Sequence, residues 1–144
     1  ESMKKIYVIL LVVLFACKAE PEAIRYGTDA CHTCKMTLMD KKFGGEIVTA
    51  KGKVYKFDDL NCMVGFITSD YLNDIRIEHS LVIDYANPEK LIPATDAFYL
   101  KSSSIRSPMG SGIAAFETRE ARKKVSAEVD GIELGWPEVI TEPR

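Results

Sequence analysis

The sequence has few of the residues that build zinc sites, and it lacks the pattern of a nucleic-acid-binding protein. It contains two histidines and four cysteines, and its one closely spaced cysteine pair has no second pair to complete a typical structural zinc site. No basic stripe with interleaved aromatic residues is present, and the formal net charge is −2. We therefore expect no nucleic-acid partner.

No apolar run in the sequence is long enough for a permanent membrane anchor. The longest run, Ile6 to Ala16, has eleven residues, which as a helix cover about 16 Å of a bilayer core about 30 Å thick. It follows Met3 and two lysines, and a basic start before a short apolar run is typical of a secretory signal. Residues 1–16 are therefore predicted to be a signal peptide.

The end of this run predicts a lipid-modified cysteine. Leu14-Phe15-Ala16-Cys17 resembles the lipobox of bacterial lipoproteins, in which the cysteine is acylated and becomes the first residue of the mature chain. Several acyl chains, at about 0.8 kcal/mol per buried CH₂, hold a domain to a membrane surface. We expect an extracytoplasmic protein, lipid-anchored to a bacterial membrane through Cys17, with residues 17–30 as the tether.

The mature part of the sequence predicts an α+β fold of two small ββαβ units packed together. In the first unit, two β-rich runs flank the turn Lys51-Gly52. The acidic pair at 58–59 can cap a helix that begins at Leu60, and residues 81–85 follow as a strand. These elements place the first unit at residues 31–92.

The second half of the sequence repeats this order more faintly. Residues 97–100 and 112–116 read as strands, a helix begins at Thr118, and Trp136-Pro137 is expected to end the packed part. We assign this second unit to residues 93–144. Neither unit is large enough to bury much of a core alone, so we expect the two to pack on one another.

Cys31 and Cys34 form a C-x-x-C pair that is compatible with several chemistries. A redox pair would stand at a helix N-terminus after a strand, where the dipole lowers a thiol pKa, but this pair follows a polar segment. A structural zinc site needs four N or S ligands, and Cys62, His32 and His79 offer no second pair. An exported thiol oxidoreductase and a zinc module that recruits a partner remain the two alternatives.

A third chemistry uses the methionines. Cys34 and Met36 are two residues apart, so in an extended segment both can point to one side, and thiolate with thioether favours Cu(I). Met109 lies in a loop of Ser, Pro and Gly, where packing does not explain an apolar side chain, so it can bring a thioether from the second unit. We predict a Cu(I) site with Cys34, Met36 and Met109 as ligands and Cys31 as an auxiliary ligand.

Other sulfur and carboxylate groups are weaker candidates. Cys62 and Met63 lie on or beside the apolar face of the first predicted helix, so we expect both to be buried. Met39 can add a thioether or pack under the hairpin. Asp58 and Asp59 are expected to cap the helix rather than to act as an acid and a base.

Three segments of the sequence resemble those of one protein family, in the same order. They are "YGTDACHTCKM" at 26–36, "KVYKFDDLNCMVGF" at 53–66 and "SPMGSG" at 107–112. Behind a lipoprotein signal they resemble the NosL family of copper-chaperone lipoproteins. The resemblance implies two ββαβ units, a single Cu(I) site, and a carrier rather than an enzyme, which delivers copper to nitrous oxide reductase outside the cytoplasm.

The resemblance extends to individual ligand positions. Cys34 and Met36 match the family's Cys-x-Met segment, and Met109 matches its later Met-Gly loop. The chain departs from the pattern in having Cys31 and Cys62, since many NosL proteins carry one cysteine in the first motif. We therefore expect a membrane-anchored Cu(I) chaperone whose client is an extracytoplasmic copper enzyme, which the resemblance implies is nitrous oxide reductase.

Overall fold

The computed structural model describes residues 18–142. In this part of the chain no helix combines the length and the apolar character needed to cross a membrane. The predicted signal peptide, residues 1–16, and the predicted acylation site, Cys17, lie outside the described residues.

The first half of the described chain forms a four-stranded antiparallel sheet in the order β2-β1-β3-β4. Its strands are β1 (Gly45–Thr49), β2 (Val54–Phe57), β3 (Ile77–Ile83) and β4 (Leu91–Pro93). β1 and β2 pair as the predicted hairpin, with Val48 opposite Val54 next to the turn. β4 was not predicted, because three residues are too few to show an alternating pattern.

Helix α1 (Leu60–Ile67) follows β2 directly. It begins where the side chain of Asp59 accepts a hydrogen bond from the Asn61 amide, which confirms one of the two predicted caps. The Thr68 hydroxyl donates to the Val64 carbonyl at 2.8 Å and closes the last turn. A short 3₁₀-helix, Asp70–Leu72, then leads into β3.

The second half forms a three-stranded antiparallel sheet in the order β6-β5-β7. Its elements are β5 (Phe98–Lys101), β6 (Ile113–Phe116), α2 (Arg119–Ser126), β7 (Ile132–Leu134) and a final helix, α3 (Trp136–Thr141). The sequence implied the last strand without locating it. Trp136-Pro137 was wrongly expected to end the packed part: proline suits the first turn of a helix, and Val139 of α3 is buried.

The two halves therefore repeat one ββαβ order, which confirms the predicted α+β class. In each, the first strand is central and lies between the second strand and the strand that follows the helix. The predicted boundary between the units, after residue 92, falls inside β4. The division of the chain into those domains stays a prediction.

One hydrophobic core joins the two units. It contains buried side chains from both halves, among them Phe57, Met63, Val64, Tyr99, Ala115 and Leu134. A backbone bridge pairs Asp84 with Ala115, and the Tyr85 amide donates to the Ala115 carbonyl at 2.8 Å. The two units therefore share both core and backbone contacts.

The N-terminal segment, residues 18–30, contacts the first sheet through Glu46, Lys56 and His79. The Glu22 amide donates to Oε1 of the fully buried Glu46 at 2.8 Å. Farther toward the start of the chain, a hydrogen bond of 3.0 Å joins His79 Nε2 and the Ala19 carbonyl. The predicted role of this segment as a tether stays a prediction, but its described residues are held to the domain.

Lys56 of β2 is the centre of the contacts to this segment. Its Nζ lies 2.7 Å from Asp29 Oδ2 and 3.2 Å from a Glu22 carboxylate oxygen. Burial opposes ionisation of Asp29, but hydrogen bonds from Lys56 and Arg25 outweigh that effect and lower the pKa of Asp29 to about 2. These ion pairs hold the chain that leads directly into the C-x-x-C pair.

Candidate metal centre

The segment from Cys31 to Met36 closes on itself as a tight turn. The Cys31 amide donates to the Met36 carbonyl at 2.8 Å, and the Lys35 amide donates to the Cys31 carbonyl at 3.0 Å. Lys35 adopts a φ of 66°, in the left-handed region that non-glycine residues seldom occupy. The turn brings the side chains of Cys31 and Cys34 close together and leaves Met36 at the surface.

Two hydrogen bonds fix this turn to the first unit. The His32 amide donates to the Lys56 carbonyl at 2.8 Å, which attaches the turn to β2. The Thr33 hydroxyl donates to the Cys62 carbonyl at 3.0 Å, which attaches it to α1. The two ends of the C-x-x-C pair therefore face the start of the helix in a fixed register.

Three thiols and one carboxylate converge at this point. One ligand atom from each of Cys31, Cys34, Asp58 and Cys62 lies within 4.8 Å of all the others, and the three cysteines are free thiols. Cys34 Sγ donates to Asp58 Oδ2 at 3.3 Å. Cys31 is 0 % exposed and Cys62 is 5 % exposed, whereas Cys34 is only partly buried. Three soft sulfur donors and one carboxyl oxygen thus lie within ligand distance of a common centre.

The environment keeps two of these thiols protonated in the absence of a cation. Burial raises the pKa of Cys34, and its hydrogen bond to Asp58 adds to the rise, although the Met36 backbone N–H favours the thiolate. Burial also raises the pKa of Cys62, with the neighbouring Cys31 as a further cause. A metal ion that binds these thiols must therefore displace their protons.

Three methionine thioethers lie beside the thiol cluster. They line a pocket of about 290 Å³ together with Asp58, and their side chains are exposed: Met36 by 61 %, Met39 by 69 % and Met109 by 43 %. Large apolar side chains are more often buried, so packing does not account for three of them around one opening. Asp58 belongs both to this pocket and to the thiol cluster.

Asp59 brings the methionine of the second unit to this pocket. Its Oδ2 accepts hydrogen bonds from the Met109 amide at 2.7 Å and from the Ser111 amide at 3.3 Å. Asn61 Nδ2 donates to the Met109 carbonyl at 3.1 Å. The residue that caps α1 therefore also holds the loop that carries Met109.

The structure places the predicted ligands in one region. Cys31 and Cys34 lie in the thiol cluster, and Met36 and Met109 lie in the adjoining pocket. The assignment of these four residues as ligands stays a prediction. Met39, for which the sequence left two interpretations, lies at the surface of the same pocket.

Asp58 and Cys62 were not among the predicted ligands. Cys62 is buried, as expected, but its thiol also belongs to the cluster. Asp58 does not provide the cap of α1, because Asp59 does. A local signal in the sequence could have indicated both residues. One carboxylate is enough to cap a helix, so the other member of the acidic pair is left without that role, and a cysteine follows three residues after the cap.

The two histidines lie outside the thiol cluster. The His32 ring packs among aromatic rings, 4.7 Å from Tyr55 and 5.0 Å from Phe66 between centroids, and burial together with Lys35 lowers its pKa. His79 lies on the face that contacts the N-terminal segment. Among residues 18–142, no imidazole belongs to the four-group cluster.

Comparisons with known proteins place the chain in a family. The crystal structure of the copper chaperone NosL from Shewanella denitrificans matches with a TM-score of 0.71 and 22 % sequence identity, over 84 % of this chain and 96 % of that chain; at this identity the likeness shows the fold. A search of curated proteins found no match. The NosL family model matches residues 24–142, which is most of the sequence, so this chain belongs to the NosL family.

Proposed function

We propose that this protein is a membrane-anchored Cu(I) chaperone that delivers copper to an extracytoplasmic copper enzyme. The observation that carries the proposal is the convergence of free thiols with three exposed thioethers around one opening. Membership of the NosL family supports it, as does the common fold with the copper chaperone NosL from Shewanella denitrificans.

The donor set favours Cu(I) over harder cations. Thiolate and thioether are soft ligands, and thioether sulfur is a ligand of copper far more than of Mg²⁺ or Ca²⁺. Cys34 supplies the thiolate at the edge of the opening, Met36 and Met109 supply thioethers, and Cys31 is an auxiliary ligand. Asp58 contributes negative charge beside the monovalent ion.

The position of the opening suits a carrier rather than an enzyme. Copper held by a few ligands at a partly exposed site can be taken over by the ligands of a second protein, one bond at a time, without being released as a free ion. The thioethers of Met36 and Met109 are exposed to such a partner. The ion is cargo, and no chemical change of a substrate is required.

The client and the location follow from the family resemblance and from the start of the sequence. We assign nitrous oxide reductase as the client, since that is the enzyme the NosL resemblance implies. Residues 1–16 would direct export, and acylation of Cys17 would hold the protein at a bacterial membrane.

X-ray absorption at the copper edge tests the proposed site. The protein, purified without its signal peptide, is loaded with Cu(I) under anaerobic conditions and compared with Cys34→Ser and Met109→Leu. We expect sulfur neighbours in the wild type and one fewer in each variant. Cys34→Ser should also lose about 100-fold or more in affinity, which exceeds the usual effect of changing a residue that only orients a ligand.

Met63→Leu is the matched control, because Met63 is fully buried in the core and does not line the pocket. Its copper spectrum and affinity should equal those of the wild type. Failure of the wild type to hold copper, or a Cys34→Ser variant that binds as the wild type does, would contradict the chaperone proposal.

A structural zinc module is the second candidate function, and one observation favours it. Three cysteines and one aspartate are ligand types that zinc accepts in a four-coordinate site, and they lie within 4.8 Å of one another. Such a site gives no role to the exposed thioethers. It predicts zinc in the purified protein and unfolding on chelation, which metal analysis and circular dichroism would detect.

The thiol oxidoreductase alternative has less support. A catalytic thiol pair needs a lowered pKa so that the attacking thiolate forms near neutral pH. Burial instead raises the pKa of Cys34. The pair also does not lie at the start of a helix, because the first helix of the described chain, α1, begins only at Leu60.

A further inference from the structure

The sulfur groups at the metal centre fall into two sets that differ in burial. The thiol set consists of Cys31, Cys34 and Cys62, two of which are almost completely buried. The thioether set consists of Met36, Met39 and Met109, all exposed around the pocket. These six groups extend from the core to the surface, and they are more sulfur donors than one Cu(I) ion binds at once.

The thiol set has the dimensions of a three-coordinate metal site. With metal-thiolate bonds of about 2.3 Å, the sulfur atoms of a trigonal site lie about 4 Å apart. Cys31, Cys34 and Cys62 are within 4.8 Å of one another, so a small contraction is enough. The hydrogen bond from Thr33 to the Cys62 carbonyl holds the C-x-x-C turn and α1 together at this spacing.

Copper held by the thiol set is shielded from a second protein by two of its three ligands. Cys31 and Cys62 expose almost no surface, so the ligands of a client cannot replace them directly. The thioether set has the opposite property, since all three methionines can be approached from solvent. Transfer to a client therefore requires the ion to move outward before it leaves.

Asp58 lies between the two sets and has a free coordination position. Its Oδ2 accepts the hydrogen bond from Cys34, and the residue also lines the methionine pocket. The side chain is 6 % exposed, and its Oδ1 has no hydrogen-bond partner in the described structure. A buried carboxylate oxygen without a partner is costly, and a cation that passes beside it would offset that cost.

We infer that copper occupies two positions in this chain: a resting position in the thiol set, which includes Cys62 and to which Met109 adds a thioether, and a hand-off position in the thioether set, which includes Met39, with Asp58 between them. This inference rests on the proposed chaperone function. The ion remains Cu(I) throughout, so no electron is transferred. Thiol protons go to solvent when copper enters the resting position and return from solvent when it leaves.

The two positions predict opposite effects for two variants. Cys62→Ser should remove one sulfur neighbour from bound copper, lower its affinity by about tenfold or more, and speed its transfer to a small Cu(I) chelator. Met39→Leu keeps the volume of the side chain but removes the thioether. It should slow transfer by about tenfold, while the copper spectrum and the affinity at rest stay close to those of the wild type.

The experiment combines copper-edge absorption, competitive titration and stopped-flow transfer to the chelator on the full mature protein. Met63→Leu serves as the control in all three, and Cys62→Ala repeats the thiol test if the serine variant loses its circular dichroism spectrum. An unchanged copper shell in both Cys62 variants would overturn the resting position. Wild-type transfer rates in Met39→Leu would overturn the hand-off position. Absence of copper from the wild type would instead refute the chaperone proposal itself.

Discussion

The two ββαβ units have the same architecture but only one of them carries thiols. In each, the second strand ends in a buried phenylalanine, Phe57 or Phe116, and the helix is capped two residues later, by Asp59 or Thr118. Each cap also uses its side chain to accept an amide of the first turn. The two units therefore have equivalent backbone positions, and the side chain at each position determines its chemistry.

At two equivalent positions the units differ in chemistry. Asp58 is buried beside a thiol, whereas its counterpart Glu117 is half exposed and pairs with Lys90 at the surface. Cys62 lies three residues after the first cap and joins the thiol cluster, whereas Ala121 is at the same distance from the second cap. A metal centre thus needs few changes on a scaffold that the two units share.

The units also differ in the connection between their first two strands. A tight turn at 50–53 joins β1 to β2, whereas the longer loop 102–112 joins β5 to β6. That loop carries Met109 across to the first unit. The first unit supplies fixed thiols, and the second supplies a thioether on a loop.

The largest expected effect is the pH dependence of copper affinity, which thiol ligands produce and thioether ligands do not. The pKa values of Cys34 and Cys62 are raised by burial, so copper must displace protons and its apparent affinity should fall as pH falls from 8 to 6. The loss is about tenfold per pH unit for each thiolate that binds. Competitive Cu(I) titrations across that range measure it.

Met109→Leu sharpens this test, because thioether sulfur carries no proton. The variant should bind copper more weakly by the same factor at every pH, with the slope of the wild type. An affinity of the wild type that does not change with pH would refute thiolate ligation.

Glycine substitutions should show that the start of the first sheet tolerates less change than the tip of the 102–112 loop at Gly110. Gly44 has a φ of +89°, and an added Cβ would lie 2.1 Å from the Phe57 carbonyl oxygen. Gly110 has a φ of +76° with no atom within 4 Å of such a Cβ. In urea denaturation, Gly44→Ala should lower the free energy of unfolding by about 3 kcal/mol or more, and Gly110→Ala by about 1 kcal/mol. Equal losses would contradict the comparison.

The two helix caps should differ in a similar way. Thr118→Ala removes one cap and should cost about 1 kcal/mol of unfolding free energy. Asp59→Ala removes a cap and also the acceptor for the Met109 and Ser111 amides, so it should cost about 2–3 kcal/mol. It should also weaken copper binding, since the Met109 loop is released. Denaturation and copper titration of both variants decide whether the cap of the first unit has this second role.

The smallest expected effect concerns the N-terminal segment, which ion pairs with the first unit. The pKa of Asp29 is lowered to about 2 by Lys56 and Arg25 against the effect of burial. A carboxyl pKa that is lower in the folded state than its ordinary value of 3.8 stabilises the fold at pH values above 3.8. That stabilisation is lost as the pH falls toward 2. Thermal unfolding of the wild type and Asp29→Asn should differ by a few degrees near neutral pH and converge in acid. A constant difference would argue against the ion pairs.

Local patterns were enough to predict most of the fold. The turn at Lys51-Gly52 and the starts of two helices depend on a few neighbouring residues, and all three are confirmed. The three-residue strands β4 and β7 have no period of their own and form only because a longer strand offers a free edge. Helix α3 was not predicted because proline is common both at the end of a packed segment and in the first turn of a helix.

The candidate site was predictable only in the residues whose chemistry is unusual for their position. Met109 was noticed because a thioether has no packing role in a polar loop. Cys62 and Asp58 have ordinary local explanations, as core residue and helix cap. Their convergence depends on the C-x-x-C turn packing on the start of α1, which is a tertiary contact.

If Cys17 carries acyl chains, as proposed, the attachment of the N-terminal segment to the sheet would set the distance between the proposed copper site and the membrane. With acyl chains on Cys17, as proposed, only Lys18 separates the lipid from Ala19, which is bonded to His79. His79 lies opposite Val48, and Val48 lies opposite Val54 at the start of β2. Asp58 follows directly after the end of β2. Four residues of strand cover about 13 Å. Under that proposal, the domain would be held close to the bilayer, and the proposed copper site would lie about one strand length from the point of attachment.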